Sequence, residues 1–224
     1  MQTIDLVRVA VALAAGYLLG GIPFGIIVPR LIGGPDPRTI GSGRTGGANV
    51  SRAVGYRWAA VSGLLDVAKA SAAVLLVVAI GGGDVPRILA ALAAIVGHSR
   101  SPFIAMHGGR GVAPATGGAL IIEPLILAVM FPVFIITILL TRISSLGSLA
   151  ASAIGGLIMI VVTVATSLPP IYFVYGVGAP GLIWLFHLDN IQRLLAGKER
   201  RIGPRSAGTG DDDGPANRAT ENRP

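Results

Sequence analysis

Apolar stretches long enough to cross a lipid bilayer follow one another along most of this chain, and that pattern decides the solvent in which it folds. A helix needs roughly 17–25 apolar residues to span the hydrocarbon core. Candidate spans fall at about 9–29, 58–80, 86–98, 113–122, 125–141, 146–167 and 171–187. The third and fourth are short, and Glu123-Pro124 reads either as the end of a helix or as a kink within one. Only 13% of the residues are charged, about half the share found in soluble domains. That leaves too little polar surface for a water-soluble globule. The first stretch, Val9 to Ile32, is longer than a signal peptide's apolar core and many more follow it, so it is read as a helix that stays in the membrane. The expected fold class is all-α: a polytopic membrane protein of about seven transmembrane helices.

The basic residues orient such a bundle. With seven spans, the N-terminus outside and the C-terminus cytoplasmic, 15 of the 18 Lys and Arg residues fall inside, leaving Arg8 and Arg87 outside and Lys69 within a span. Six spans would put the basic first loop and the basic tail on opposite faces. The expectation is therefore a multi-pass protein of the inner (plasma) membrane, with a membrane domain over 1–199 and a disordered cytoplasmic tail over 200–224. The net charge of +7 admits nucleic acid, a membrane surface or an anionic small molecule as partner. Nucleic acid is set aside, because the cations sit in short loops with few aromatics to stack on bases. Membrane lipids and a phosphorylated substrate remain. The absence of Cys removes disulfides, thiolate catalysis and Cys-based metal sites. Three His residues without ligand spacing give no reason to expect a metal or another cofactor. No internal repeat of the transporter kind is visible.

Two loops on the expected cytoplasmic face combine glycines with cations. In Gly41–Arg52, Gly43 and its neighbouring glycines let backbone approach an anion without Cβ interference, Arg44 and Arg52 can grip phosphate in bidentate fashion, and a helix starting near Ala48 would add partial positive charge. In Met106–Ala113, Gly108, Gly109 and Gly111 surround Arg110 just before an apolar run. Each loop alone is equally well read as a positive-inside connector. Asp66 and Lys69 share a helix face inside a span, either as a self-neutralising brace or as functional charges. Ser144 and Ser145 sit at a span entrance where serines usually cap helices or join them. A Ser145–His187–Asp189 triad can be drawn on paper, but Asp189 lies only two positions from His187 and would point elsewhere on a helix. His98 reads as structural.

In order and spacing, these segments resemble the bacterial acyl-phosphate:glycerol-3-phosphate acyltransferases, which begin membrane phospholipid synthesis. The resemblance runs from the first span to about Glu199. It rests on Ile22-Pro23-Phe24-Gly25, the Gly-Ser-Gly loop ending in Asn49-Val50-Ser51-Arg52, Asp66-Val67-Ala68-Lys69 and Gly97-His98. It continues through Gly108-Gly109-Arg110-Gly111-Val112-Ala113, Ser144-Ser145-Leu146 and the run from His187 to Leu194. The resemblance implies a seven-span fold with its active site facing the cytoplasm. It implies acyl transfer from acyl phosphate to the 1-hydroxyl of glycerol 3-phosphate, giving lysophosphatidate and phosphate. It further implies that Ser42, Arg52, Arg110, Ser145, His187 and Asn190 hold the substrates. Catalytic roles are expected of His187, Ser145 and Asn190. Phosphate binding is expected of Ser42, Gly43, Arg44, Asn49, Arg52, Gly108, Gly109 and Arg110.

The chain departs from the family pattern inside those loops. Arg44 stands where the family usually has Asn, Gly47 where it has Ala and Ala48 where it has Thr. Arg110 replaces Lys and Pro114 replaces Thr, while Gly21 stands for a Ser and Ala70 for a Gly. Arg for Lys keeps the charge but changes the shape. Alternative readings are a paralogue acting on another phosphorylated acceptor, a transporter, or a non-catalytic lipid-binding protein.

Overall fold

The computed structural model describes residues 3–202; the remainder of the expected tail, from Gly203 onward, lies outside the described residues. Among them every regular element is helical: α1 (Thr3–Gly21), α2 (Phe24–Leu31), α3 (Gly47–Val54), α4 (Tyr56–Ala79), α5 (Asp84–Ser99), α6 (Val112–Ile122), α7 (Leu125–Thr141), α8 (Ser144–Ala165), α9 (Ile171–Phe186) and α10 (Leu188–Leu195). All seven apolar stretches are helices. Three are long and apolar enough to span by length and composition alone: the 27-residue stretch Asp5–Leu31, Tyr56–Ala79 and Ser144–Ala165. The others are shorter.

Proline explains two of the breaks. The first span is not one rod: Pro23, lacking an N–H, separates α1 from α2. Glu123-Pro124 ends α6 and starts α7, so it is a boundary and not a kink. At the other end of the sequence, α9 and α10 meet at His187 with a bend of 67°.

Small residues let the rods touch, as they must where lipid offers no hydrophobic drive between helices. A Cβ on Gly16 would strike the Ala90 carbonyl, one on Gly20 the Ala94 carbonyl, and one on Gly97 the Tyr17 carbonyl, so α1 and α5 meet backbone to backbone. Gly117 of α6 lies equally close to Val67 of α4, and Gly156 of α8 to Gly176 of α9. Hydrogen bonds reinforce these seams: Ser71 Oγ donates to Gly117 O (2.9 Å), and Tyr175 Oη to Ala115 O (2.8 Å). Val74, Val77, Ile88, Ile95, Met159 and Ile183 fill the interior. Large apolar side chains such as Leu139, Leu140, Val164 and Val177 face outward, the opposite of what water would tolerate in such number.

One end of the bundle collects the two glycine loops, the entrance of α8 and the turn into α10. Ser101 Oγ donates to Gly21 O (2.6 Å) and Tyr17 Oη to Arg100 O (2.9 Å), which joins the α5–α6 connection to the end of α1. Ile202 N–H donates to Arg142 O (2.6 Å), so the segment following α10 stays tied to the entrance of α8.

Candidate active site

The first glycine loop is organised by Asn49. Its amide donates to Ser42 Oγ (3.0 Å) and Arg44 O (2.9 Å), and its carbonyl oxygen accepts from Arg52 Nη1 (2.9 Å). Asn49 is buried in the first turn of α3, which begins at Gly47, one residue from the expected start. Gly41 and Gly43 take φ of 61° and 68°, a region that penalises any Cβ. A side chain at Gly41 would also press on Asn49 Oδ1 and Arg52 Nη1.

The second loop folds back onto the end of α5. Gly108 N–H donates to Ser99 O and Gly109 N–H to His98 O, both at 3.2 Å. These amides therefore cap α5 carbonyls, and the missing side chains serve close approach: a Cβ on Gly108 would strike His98 O and one on Gly109 would strike His98 Nε2. The loop thereby presents Arg110. Its Nη2 donates to Asp189 Oδ2 at 2.6 Å, while its Nε is buried without a partner among the described residues. Burial pulls the Arg110 guanidinium below its usual pKa. Arg44 and Arg193 push the same way and Asp189 opposes them. Arg44 and Arg110 are thus electrostatic neighbours, and Arg44 Nη1 is likewise buried with no partner among the described residues.

Behind this pair stand α8, α9 and α10. Ser145, His187 and Asn190 are each less than a twentieth exposed. Ser145 Oγ donates to Glu199 Oε1 (3.0 Å), as does Asn190 Nδ2 (2.6 Å), and Arg193 Nε donates to Glu199 Oε2 (2.8 Å). The Ser–His–Asp triad is not assembled. His187 Nδ1 lies 2.7 Å from Ile183 O, and Asp189 turns to Arg110 and Arg193. A carbonyl can only accept, so the His187 proton sits on Nδ1 and Nε2 offers a lone pair. Burial, countered in part by that bond, pushes the imidazole down to about 4, so it is neutral at pH 7. Burial alone would raise the Asp189 carboxyl, but Arg110 and Arg193 hold it below the usual carboxylate value.

The geometry gathers the sequence candidates into one constellation at one end of the bundle. Ser42, Gly43, Arg44, Asn49 and Arg52 form the first loop, and Gly108, Gly109 and Arg110 the second. Ser145, His187 and Asn190 stand beside them. Glu199 was missed. It lies beyond the Gly197 turn (φ 68°), and only the tertiary fold carries it to Ser145. Its one sequence signal is a lone acid among Arg193, Lys198, Arg200 and Arg201.

A sequence profile described as glycerol-3-phosphate acyltransferase matches residues 10–197. The chain belongs to the glycerol-3-phosphate acyltransferase family. It is 41% identical over 196 residues to the glycerol-3-phosphate acyltransferase of Synechococcus sp. (strain JA-3-3Ab), covering 88% of this chain and 94% of that one. It is also similar to crystal structures of PlsY, an integral membrane glycerol 3-phosphate acyltransferase. Against the glycerol 3-phosphate form the TM-score is 0.78 at 32% identity, covering 89% of this chain and 96% of that one. Against the lysophosphatidic acid form it is 0.78 at 31%, covering 87% and 95%. The all-α integral-membrane class expected from the sequence is therefore the class of this acyltransferase-family protein.

Proposed function

We propose that the protein transfers a fatty acyl group from acyl phosphate to the 1-hydroxyl of glycerol 3-phosphate, releasing lysophosphatidate and inorganic phosphate. One observation carries the phosphate part of the reading: two guanidiniums that feel each other's charge, Arg44 and Arg110, each keep a buried N–H without a protein partner among the described residues. Buried donors left unpaired cost free energy, and an oxyanion between them supplies both charge and acceptors. The family relatives named for glycerol 3-phosphate support the acceptor.

Acyl phosphate is a mixed anhydride with a good leaving group, so the protein's task is charge neutralisation and alignment. Arg44, Arg52 and Arg110 bind the phosphates, with Ser42 and Asn49 shaping the first loop. Gly43 supplies a left-handed turn of the first loop, and Gly108 and Gly109 let the second loop pack on His98 and so present Arg110. Ser145 and Asn190 orient the reacting groups. His187, neutral and with its Nε2 lone pair available, accepts a hydrogen bond from the attacking hydroxyl and fixes its direction. So weak a base does not keep the proton. The hydroxyl oxygen forms a bond to the acyl carbon, the bond from that carbon to the phosphate oxygen breaks, and the proton passes to an oxygen of the departing phosphate.

In the same reading the seven passes each cross an inner (plasma) membrane, and the site faces the cytoplasm. The acyl tail lies between helices, and the membrane domain over 1–199 is followed by the tail. Purified protein given acyl phosphate and labelled glycerol 3-phosphate is expected to form lysophosphatidate and phosphate in equal amounts. Folded protein that forms neither ends this proposal, and a panel of other phosphorylated alcohols separates the paralogue with a changed acceptor.

A further inference from the structure

Three charged or polar residues lie buried beneath the two loops and take no part in the chemistry above. Lys69 Nζ sits 2.6 Å from Asp66 Oδ1, donates to Ile22 O at 2.6 Å, and lies 3.1 Å from His98 Nδ1. The ring of Phe24 covers it at 5.8 Å. Asp66 and Lys69 are 5% exposed and His98 7%, so each of these contacts is shielded from water. An ammonium has donors only. Toward Lys69 the His98 Nδ1 can only accept, the same atom lies 3.5 Å from Asp66 Oδ1, and Nε2 is packed against Gly109.

Both loops lead back to this one ammonium. Through His98 it reaches the second loop, whose Gly109 rests on the imidazole and whose Gly108 and Gly109 amides bond to Ser99 O and His98 O. Through Ile22 O and Phe24 it holds the break between α1 and α2. One residue further on, Gly25 touches the buried Thr45 carbonyl so closely that no Cβ would fit. Thr45 stands between Arg44 and the start of α3. The spacing of Arg44 and Arg110 thus depends on two short chains of contact that meet at Lys69.

We propose that Asp66, Lys69 and His98 form a positioning network that sets the separation of the two phosphate-binding loops, with Lys69 as their shared anchor. A brace for the bundle as a whole would act on all helices alike. This network acts on two loops and leaves the α8–α9 seam, built on Gly156 and Gly176, alone. The kinetic part of the test rests on the acyltransferase reading; the exchange part does not.

The double substitution Asp66→Asn with Lys69→Met neutralises the pair without stranding a buried charge. His98→Ala and His98→Asn keep the Asp66–Lys69 pair, and Asn also retains an acceptor for the ammonium. Amide exchange is followed on the full chain in detergent, in the peptides around Asn49–Val50 and Gly108–Gly109, with α8 and α9 as internal reference. In the double variant both loops are expected to exchange about tenfold faster while the reference is unchanged. His98→Ala is expected to loosen the second loop only, and His98→Asn to restore part of its protection. KM for both substrates should rise in the double variant by a larger factor than kcat falls. Either loop exchanging at the wild-type rate in the double variant, the second loop doing so in His98→Ala, or loosening of the reference helices to the same degree, overturns the network. An unaltered protein without acyltransferase activity, whose variants still show selective loop exchange, sinks the functional reading and leaves the network standing.

Discussion

At the scale of single residues, charge and protonation govern the candidate site. Arg110 is paired on one edge with Asp189, and its buried Nε has no partner among the described residues. Arg110→Ala is expected to lower kcat/KM by about 10²-fold, the loss typical of one charge-stabilising donor; unchanged steady-state kinetics would remove it from the phosphate assignment. His187 provides a pH signature. Its imidazole is pushed down to about 4 in the folded protein, whereas the unfolded chain titrates near 6.5. The unfolded state then binds the additional proton between those values, so stability is full above about pH 6.5 and declines as pH falls toward 4, by about 3 kcal/mol in all. Thermal melts across that window should show the decline, with a shallower slope in His187→Gln. These residues were legible as candidates, Arg110 from its glycine-rich loop, His187 and Asn190 through the family resemblance. Their partners were not. Asp189 pairs with Arg110 across 79 sequence positions, and no local pattern encodes such a pairing.

At the scale of elements, glycine and proline carry the information. The helices were legible because apolar runs of that length have one hydrogen-bond solution in lipid. The break at Ile22-Pro23 was not, since hydropathy is continuous through it; Pro23 was visible, but not that Lys69, 47 positions away, donates to the Ile22 carbonyl there. Close helix pairs give a direct comparison. Gly20→Val puts a branched side chain against the Ala94 backbone, and a cost of about 1–3 kcal/mol is expected from overpacking. Gly63 of α4 has open space around it, so Gly63→Ala should hold or raise the melting temperature, helped by about 1 kcal/mol of helix propensity. A melt in detergent that lowers both equally would refute the contact-specific account.

At the scale of the whole molecule, the arrangement across the membrane can be tested cleanly because the chain contains no cysteine. Lys198→Cys, beside the candidate site, is expected to react with an impermeant maleimide only in inside-out vesicles. Gly83→Cys, in the connection between α4 and α5 at the opposite end, should react only in right-side-out ones. Labelling of both from one side would reverse or break the proposed orientation. The sequence by itself determined that the chain is helical and belongs in lipid, because a long apolar segment there can satisfy its backbone only as a helix. It also determined which loops carry the cations. Tertiary structure alone decided which groups meet: Glu199 beneath Ser145 and Asn190, Asp189 on Arg110, and one buried lysine under both glycine loops. Those contacts join parts of the chain remote in sequence, and their geometry exists only once the helices have packed.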